Sequence, residues 1–214
     1  MKKSFYFTYI LFGASLLAGC YSHSLVQSAN VLKPNQSAII ASFETSQKNS
    51  EHQVYDLPNF GLRYGIANRI ELQSKSNLSS YFELGSKFEL LDQSHPYQMA
   101  IGLNFGLVRV PNLFHDNENL NSETLINEKL FCVPLYISKK INQFTLFGGA
   151  KIGYAVESND ALATANLGLA YALPKTKHTV FVEAYNVQSP KSLNANYNQI
   201  NRYGLSIGVS LNAF

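Results

Sequence analysis

The sequence predicts an all-β chain: an antiparallel up-and-down transmembrane β-barrel of about ten strands, with eight as the alternative count. Three observations predict it. Period-two alternation recurs from about residue 37 to the end. The connections alternate between short and long. The charged fraction is only 14%, yet no apolar run after residue 20 is long enough to span a bilayer as a helix. Helical spacing nowhere persists, so the apolar residues must be gathered on one face of each strand.

In order, the strands read as residues 37–45, 58–67, 69–76, 80–91, 97–110, 129–138, 144–156, 162–173, 179–188 and 200–213. The fifth is the clearest. Tyr97, Met99, Ile101, Leu103, Phe105 and Leu107 take one face, and Gln98, Ala100, Gly102, Asn104 and Gly106 take the other. The last repeats it, with Tyr203, Leu205, Ile207, Val209 and Leu211 opposing Gly204, Ser206, Gly208, Ser210 and Asn212. In the seventh, Phe144, Leu146, Ala150, Ile152 and Tyr154 oppose Thr145, Gly149, Lys151 and Gly153, and Phe147 breaks the pattern. Pro134 falls inside the sixth strand. A proline cannot donate to the ladder and a closed barrel has no free edge, so a bulge or a late strand start is expected there.

The connections at 67–68, 92–96, 139–143 and 174–178 are short, whereas 45–57, 111–128 and 189–199 are longer and rich in Asn, Ser and charge. Those at 77–79 and 157–161 fall on the long-loop side but are brief. Short turns at one end and long loops at the other describe a membrane barrel, and an even strand number brings both ends of the barrel to the short-turn side.

Alternation alone leaves a soluble barrel with an apolar centre as the alternative. The polar face argues for the membrane form, because it is dominated by Gly, Ser, Ala and Asn, which suit a confined interior. The strand charges share its parity: Arg63, Glu71, Lys75, Glu83, Lys87, Glu89 and Lys151. On a lipid face each would cost ~2–4 kcal/mol near the midplane. Their mixed signs point to lumen salt bridges in a closed or nearly closed interior, with a conducting path as the alternative. The 13 Tyr and 14 Phe, many near strand ends, suit an interfacial girdle; Trp is absent.

The N-terminus begins Met1-Lys2-Lys3, runs apolar from Phe5 to Leu17 and closes with Leu17-Ala18-Gly19-Cys20. This stretch resembles the lipobox of bacterial lipoproteins. The resemblance implies cleavage before Cys20, a diacylglycerol on its thiol and an acyl chain such as palmitate on its amine. The chain then divides into a signal peptide (1–19), a lipidated polar tether (20–36) and a barrel (37–214). About 195 residues remain, enough for one domain, with a net charge of about +1 and no nucleic-acid footprint. Cys132 is then the only free thiol, so no intramolecular disulfide is expected.

Taken with the strand pattern, the mature chain resembles small bacterial outer-membrane β-barrel proteins, in a lipidated version. That resemblance implies a Gram-negative outer membrane, contact with its lipids, and handling by the lipoprotein-processing and barrel-assembly machineries. The last strand, ending in Phe214, would be the assembly signal. Tyr21, not being Asp, would permit passage outward, and both barrel ends would face the periplasm.

Catalytic constellations are sparse. Of His23, His52, His95, His115 and His178, none lies inside an expected strand beside a suitably placed Ser, as a Ser-His hydrolase acting on lipid would need. His115-Asp116 is read as a solvated loop pair rather than a peptidase dyad, and Asp116, Glu118 and Glu123 lack cation-loop spacing. No cofactor or metal is expected beyond the covalent lipid. The leading expectation is a non-enzymatic outer-membrane barrel lipoprotein with a structural, envelope-integrity or surface-interaction role whose partner is unread. A narrow channel or a carrier of lipid or a small molecule, and a barrel enzyme acting on lipid A or phospholipid, stand as alternatives.

Overall fold

The computed structural model describes residues 25, 27–48, 51–77, 81–91, 95–111, 125–157, 159–188 and 201–213. Among them ten strands follow one another: β1 (Ser37–Lys48), β2 (Glu51–Ala67), β3 (Ile70–Ser76), β4 (Tyr81–Glu89), β5 (Gln98–Pro111), β6 (Leu125–Ile141), β7 (Phe144–Ala155), β8 (Asp160–Ala172), β9 (Thr179–Gln188) and β10 (Asn201–Ala213). Each pairs antiparallel with its sequence neighbours. β1 also pairs with β10, from Ser37 opposite Ala213 to Lys48 opposite Arg202, which closes the barrel. Closure leaves the ladder no free edge. Both barrel ends therefore emerge at the end that carries the tight turns Asn68-Arg69 and Asn142-Gln143. Arg69 (φ 70°) and Asn142 (φ 56°) adopt the left-handed backbone that such hairpin turns require.

Two strands outrun their expected starts. β2 begins at Glu51 and β6 at Leu125, and the ladders hold there, with Thr45 opposite Asp56 and Val110 opposite Ile126. Backbone pairing does not need apolar side chains, so the ladder continues where the alternation fades and much of 45–57 is strand.

Pro134 corrects a second expectation. The β5–β6 register is the same on both sides of it, with Ile101 opposite Leu135 and Asn104 opposite Cys132, and Pro134 itself pairs with Lys151 on β7. There is neither bulge nor late start. Its ring is buried in the lumen, and Gly102 makes the room: a Cβ there would lie 2.8 Å from Pro134 Cγ. The register shifts lie elsewhere, between Gly65 and Ala67 and between Gln47 and Lys48.

Burial alternates strictly along most strands, and the apolar set faces outward. Leu62, Leu84, Leu103, Ile152, Leu167 and Ile207, from six strands around the ring, are 51–65% exposed. The opposite parity is buried. Phe147, which broke the sequence pattern, points inward and is 2% exposed. It lies directly across from Gly168, where any Cβ would run into its ring. Phe181 opposite Gly208 and Tyr185 opposite Gly204 repeat the arrangement. Inward glycines thus serve as beds for inward rings on the adjacent strand, which lets large side chains fill a narrow interior without spreading the wall.

Candidate functional site

The expected tether does not hang free. Residues 25–36, as far as they are described, turn back from β1 into the lumen. The exit is fixed by Asn35 N–H donating to Gly65 O and Gly65 N–H donating to Gln36 O, both at 2.9 Å. Gly65 is needed because a Cβ there would come within 2.7 Å of Leu32 O. Ten strands at ~4.8 Å spacing and ~40° tilt enclose a backbone radius of about 10 Å. Once inward side chains take their share, the axis has width for one extended chain, and this segment occupies it. Sequence reading took its Gln, Ser and Asn content for solvent exposure. They bond instead to a polar wall.

Three strands build the grip near the short-turn end. Arg63 on β2 forks onto Glu71 on β3, Nε to Oε1 at 2.7 Å and Nη2 to Oε2 at 2.8 Å, and Lys87 on β4 reaches Glu71 Oε1 at 3.0 Å. The cross-strand register causes this, since Glu71 is paired with both Gly65 and Lys87. The same groups hold the segment. Lys87 Nζ donates to Asn30 O (2.8 Å), Gln27 Oε1 (3.1 Å) and Ser28 O (3.2 Å); Arg63 Nη2 donates to Asn30 O (2.7 Å); Leu32 N–H donates to Glu71 Oε2 (2.8 Å).

Deeper in the lumen, Leu25 N–H donates to Glu183 Oε1 at 2.7 Å and Ala29 N–H to Ser138 Oγ at 3.3 Å. Gln73 Nε2 donates to Asn104 Oδ1 and to the Tyr136 hydroxyl, and Gln27 Nε2 donates to Gln73 Oε1. Leu25 and Ala29 pack against Ala100 and Tyr136. Further toward the long-loop end, Lys151 Nζ meets Glu83 Oε2 at 2.6 Å, Asn104 Nδ2 and the Tyr81 hydroxyl donate to the same carboxylate, and Lys75 lies 4.0 Å from Glu44.

Of the charges marked in the sequence, Arg63, Glu71, Glu83, Lys87 and Lys151 are buried inside, and Lys75 and Glu89 are half-buried. Glu44 and Glu183 are also buried and were missed. On β1 and β9 the inward face carries Ile40, Phe181, Tyr185 and Val187, so the two faces look alike. The carboxylates themselves were the available signal. Leu17, Ala18, Gly19, Cys20 and Phe214 lie outside the described residues, as do His23, His115, Asp116, Glu118 and Glu123, whereas His52, expected in a long loop, falls at the start of β2.

The remaining space is small. A cavity of about 30 Å³ lies among Gln27, Gln73, Asn104, Tyr136 and Lys151, room for one or two waters. A vestibule of about 340 Å³ opens at the short-turn mouth, between Asn30, Leu32, Lys140, Lys177, His178 and Asn212. Among the described residues no three His, Cys, Asp or Glu side chains gather as metal ligands. His95 is exposed, and Ser138 Oγ donates to Gln98 Oε1. Cys132 is buried and inward, opposite Gly153.

The outer surface is organised by depth. Near the short turns, the Tyr64 hydroxyl donates to Asn35 Oδ1, that of Tyr171 to Gln143 Oε1, and Lys139 Nζ sits 4.8 Å above the Tyr97 ring. At the other end the Tyr154 hydroxyl donates to Asn159 Oδ1, and Glu157 takes hydrogen bonds from the Lys129 side chain and backbone N–H. The Lys129 ammonium draws the Glu157 carboxyl down to about 2.

No family model matches the chain, and no curated protein matches it. Among solved structures it is similar to the NanC porin, at 10% identity over 82% of this chain and 98% of that one, TM-score 0.48. It is also similar to the outer membrane protease OmpT from Escherichia coli, at 10% identity over 87% and 100%, TM-score 0.47. An outer membrane channel from Pseudomonas putida F1 aligns at 9% identity over 86% and 98%, TM-score 0.48. Likenesses at this level carry no argument about what the chain does.

Proposed function

We propose that this chain is a non-enzymatic outer-membrane β-barrel of a Gram-negative bacterium, with a structural or surface-contact role at its long-loop end. The observation that carries the reading is the outward belt: every strand presents large apolar side chains to the exterior while the buried charges point in. Water-soluble monomers do not tolerate a continuous apolar belt of that extent. A bilayer does, provided no backbone group is left unpaired, and ring closure meets that condition. Tyrosines that hydrogen-bond at both ends of the belt suit the two interfaces.

The Leu17-Ala18-Gly19-Cys20 run supports a second anchor, acyl chains on Cys20. The outer-membrane lipids and the processing and assembly machineries are then its partners, with both barrel ends periplasmic. Gel migration of unboiled against boiled protein in detergent tests the barrel in the membrane. A folded form that migrates apart from the boiled one is expected, and a single species under both conditions would sink the reading. Palmitate labelling of wild type but not of Cys20→Ser tests the anchor.

A further inference from the structure

The bonds between the lumen and residues 25–32 run mostly through the segment's backbone. Leu25, Ala29 and Leu32 donate their N–H groups, Ser28 and Asn30 offer their carbonyls, and among the described residues of the segment Gln27 alone uses its side chain. Each wall group that grips it also has a partner in the wall. Glu71 is held by Arg63 and Lys87, Glu183 Oε1 accepts from Asn166 Nδ2, Ser138 donates to Gln98, and Gln73 donates to Asn104 and Tyr136.

That double bonding matters energetically. Removing a binding partner is costly when it strands a buried charge. Here each charged wall group keeps a wall partner when the segment leaves, and water entering from the vestibule beside Asn30 and Leu32 can replace the lost bonds. The apolar share of the contact is small, chiefly Leu25, Ala29 and Val31. The described segment fills the axis of the wall.

We propose that Leu25 and residues 27–33 form a removable plug, and that their withdrawal toward the short-turn mouth opens a narrow water-filled pore for small ions. This rests on the membrane reading above. With the plug seated the lumen is shut, and with it out the path runs past Arg63, Glu71 and Lys87, across Gln73, Asn104 and Tyr136, to Glu83 and Lys151. The wall keeps its own ion pairs in both states, so the barrel need not rearrange to open.

Planar-bilayer recordings of wild type and three variants test this. Wild type is expected to be closed most of the time. A variant lacking residues 25–33, and Ala29→Arg, which forces a bulky cation into a fully buried site while every wall residue stays unchanged, should raise open probability by roughly tenfold or more. Ala29→Cys with Ser138→Cys, in a Cys132→Ala background, should be silent when oxidised and regain wild-type behaviour on reduction. The proposal is overturned if the deletion and Ala29→Arg proteins insert, judged by their heat-dependent gel shift, and stay silent. It is equally overturned if the oxidised cross-link conducts like the deletion. If wild type itself neither shifts nor inserts, the membrane reading fails instead.

Discussion

Leu25 and Glu183 stand 158 residues apart in sequence, and the Leu25 N–H donates to Glu183 Oε1 at 2.7 Å inside the lumen. Asn166 donates to the same oxygen, so one carboxylate ties the N-terminal segment to β8 and β9. Hydrogen bonds to a charged acceptor are worth about 1.5–3 kcal/mol each. Glu183→Ala should lower the urea midpoint in detergent and speed maleimide labelling of Ala29→Cys. A lower midpoint with unchanged labelling would mean that the carboxylate serves the wall alone.

Glu71 bridges two buried cations, Arg63 and Lys87, and is itself fully buried. Removing one member of such a cluster leaves uncompensated charge and costs about 3–5 kcal/mol. Glu71→Gln should destabilise the barrel by that order in equilibrium unfolding. Arg63→Met, Glu71→Met and Lys87→Met combined should recover much of the loss, because no lone charge remains. A triple variant weaker than the single one would contradict the charge-balance account.

Phe147 lies over Gly168 with no room for a Cβ between them. Gly168→Leu should destabilise by about 1–3 kcal/mol, the usual range for overpacking. Phe147→Ala in the same molecule should relieve the clash, so the double variant should be more stable than Gly168→Leu alone. Urea unfolding of the four proteins closes this cycle.

Glu157 carries the pH dependence outside the wall. Its carboxyl is lowered from 4.5 to about 2 by the Lys129 hydrogen bonds. A depressed folded value means that the contribution is present above pH 4.5 and is lost as pH falls toward 2. The pair is solvent-exposed, so the effect is small. Thermal midpoints of wild type and Glu157→Gln should converge across that window and differ above it; parallel curves would show that the pair contributes nothing.

Cys20 lies five positions before Leu25, about 17 Å of fully extended chain. If Cys20 carries the proposed acyl chains, seating the segment at the axis and holding those chains in a leaflet outside a wall of about 10 Å radius draw on the same short stretch. A ten-residue Gly/Ser spacer inserted between Cys20 and Leu25 should therefore slow maleimide labelling of Ala29→Cys, and Cys20→Ser should act in the same direction. Equal rates in all three would show that the anchor exerts no pull.

The ten strands, their order and the outward facing of Leu103, Phe105 and Ile207 were legible because one period-two rule governs both burial and pairing. Lumen charge was legible where the inward face is otherwise small, as at Lys87 and Lys151. It was not legible on β1 and β9, where Ile40, Phe181 and Tyr185 make the inner face as apolar as the outer. The strand extensions at Glu51 and Leu125 leave no mark in side-chain pattern, since a ladder is a backbone property. Pro134 misled because the residue that makes room for it lies on the neighbouring strand, far earlier in the sequence: only the pairing shows that Gly102 faces it. The lumen segment was hidden most deeply, because Gln27, Ser28 and Asn30 look the same whether water or protein satisfies them.

The seam between Ser37–Lys48 and Asn201–Ala213 joins the first strand synthesised to the last. Until that seam forms, the ring is an open ribbon, and Leu25 has no enclosed axis in which to meet Glu183. Seating of the leading segment and closure of the seam are thus steps of one cooperative assembly event. A nascent chain stalled before β10 should expose residues 27–36 to protease, and completion of the final strand should withdraw them from attack.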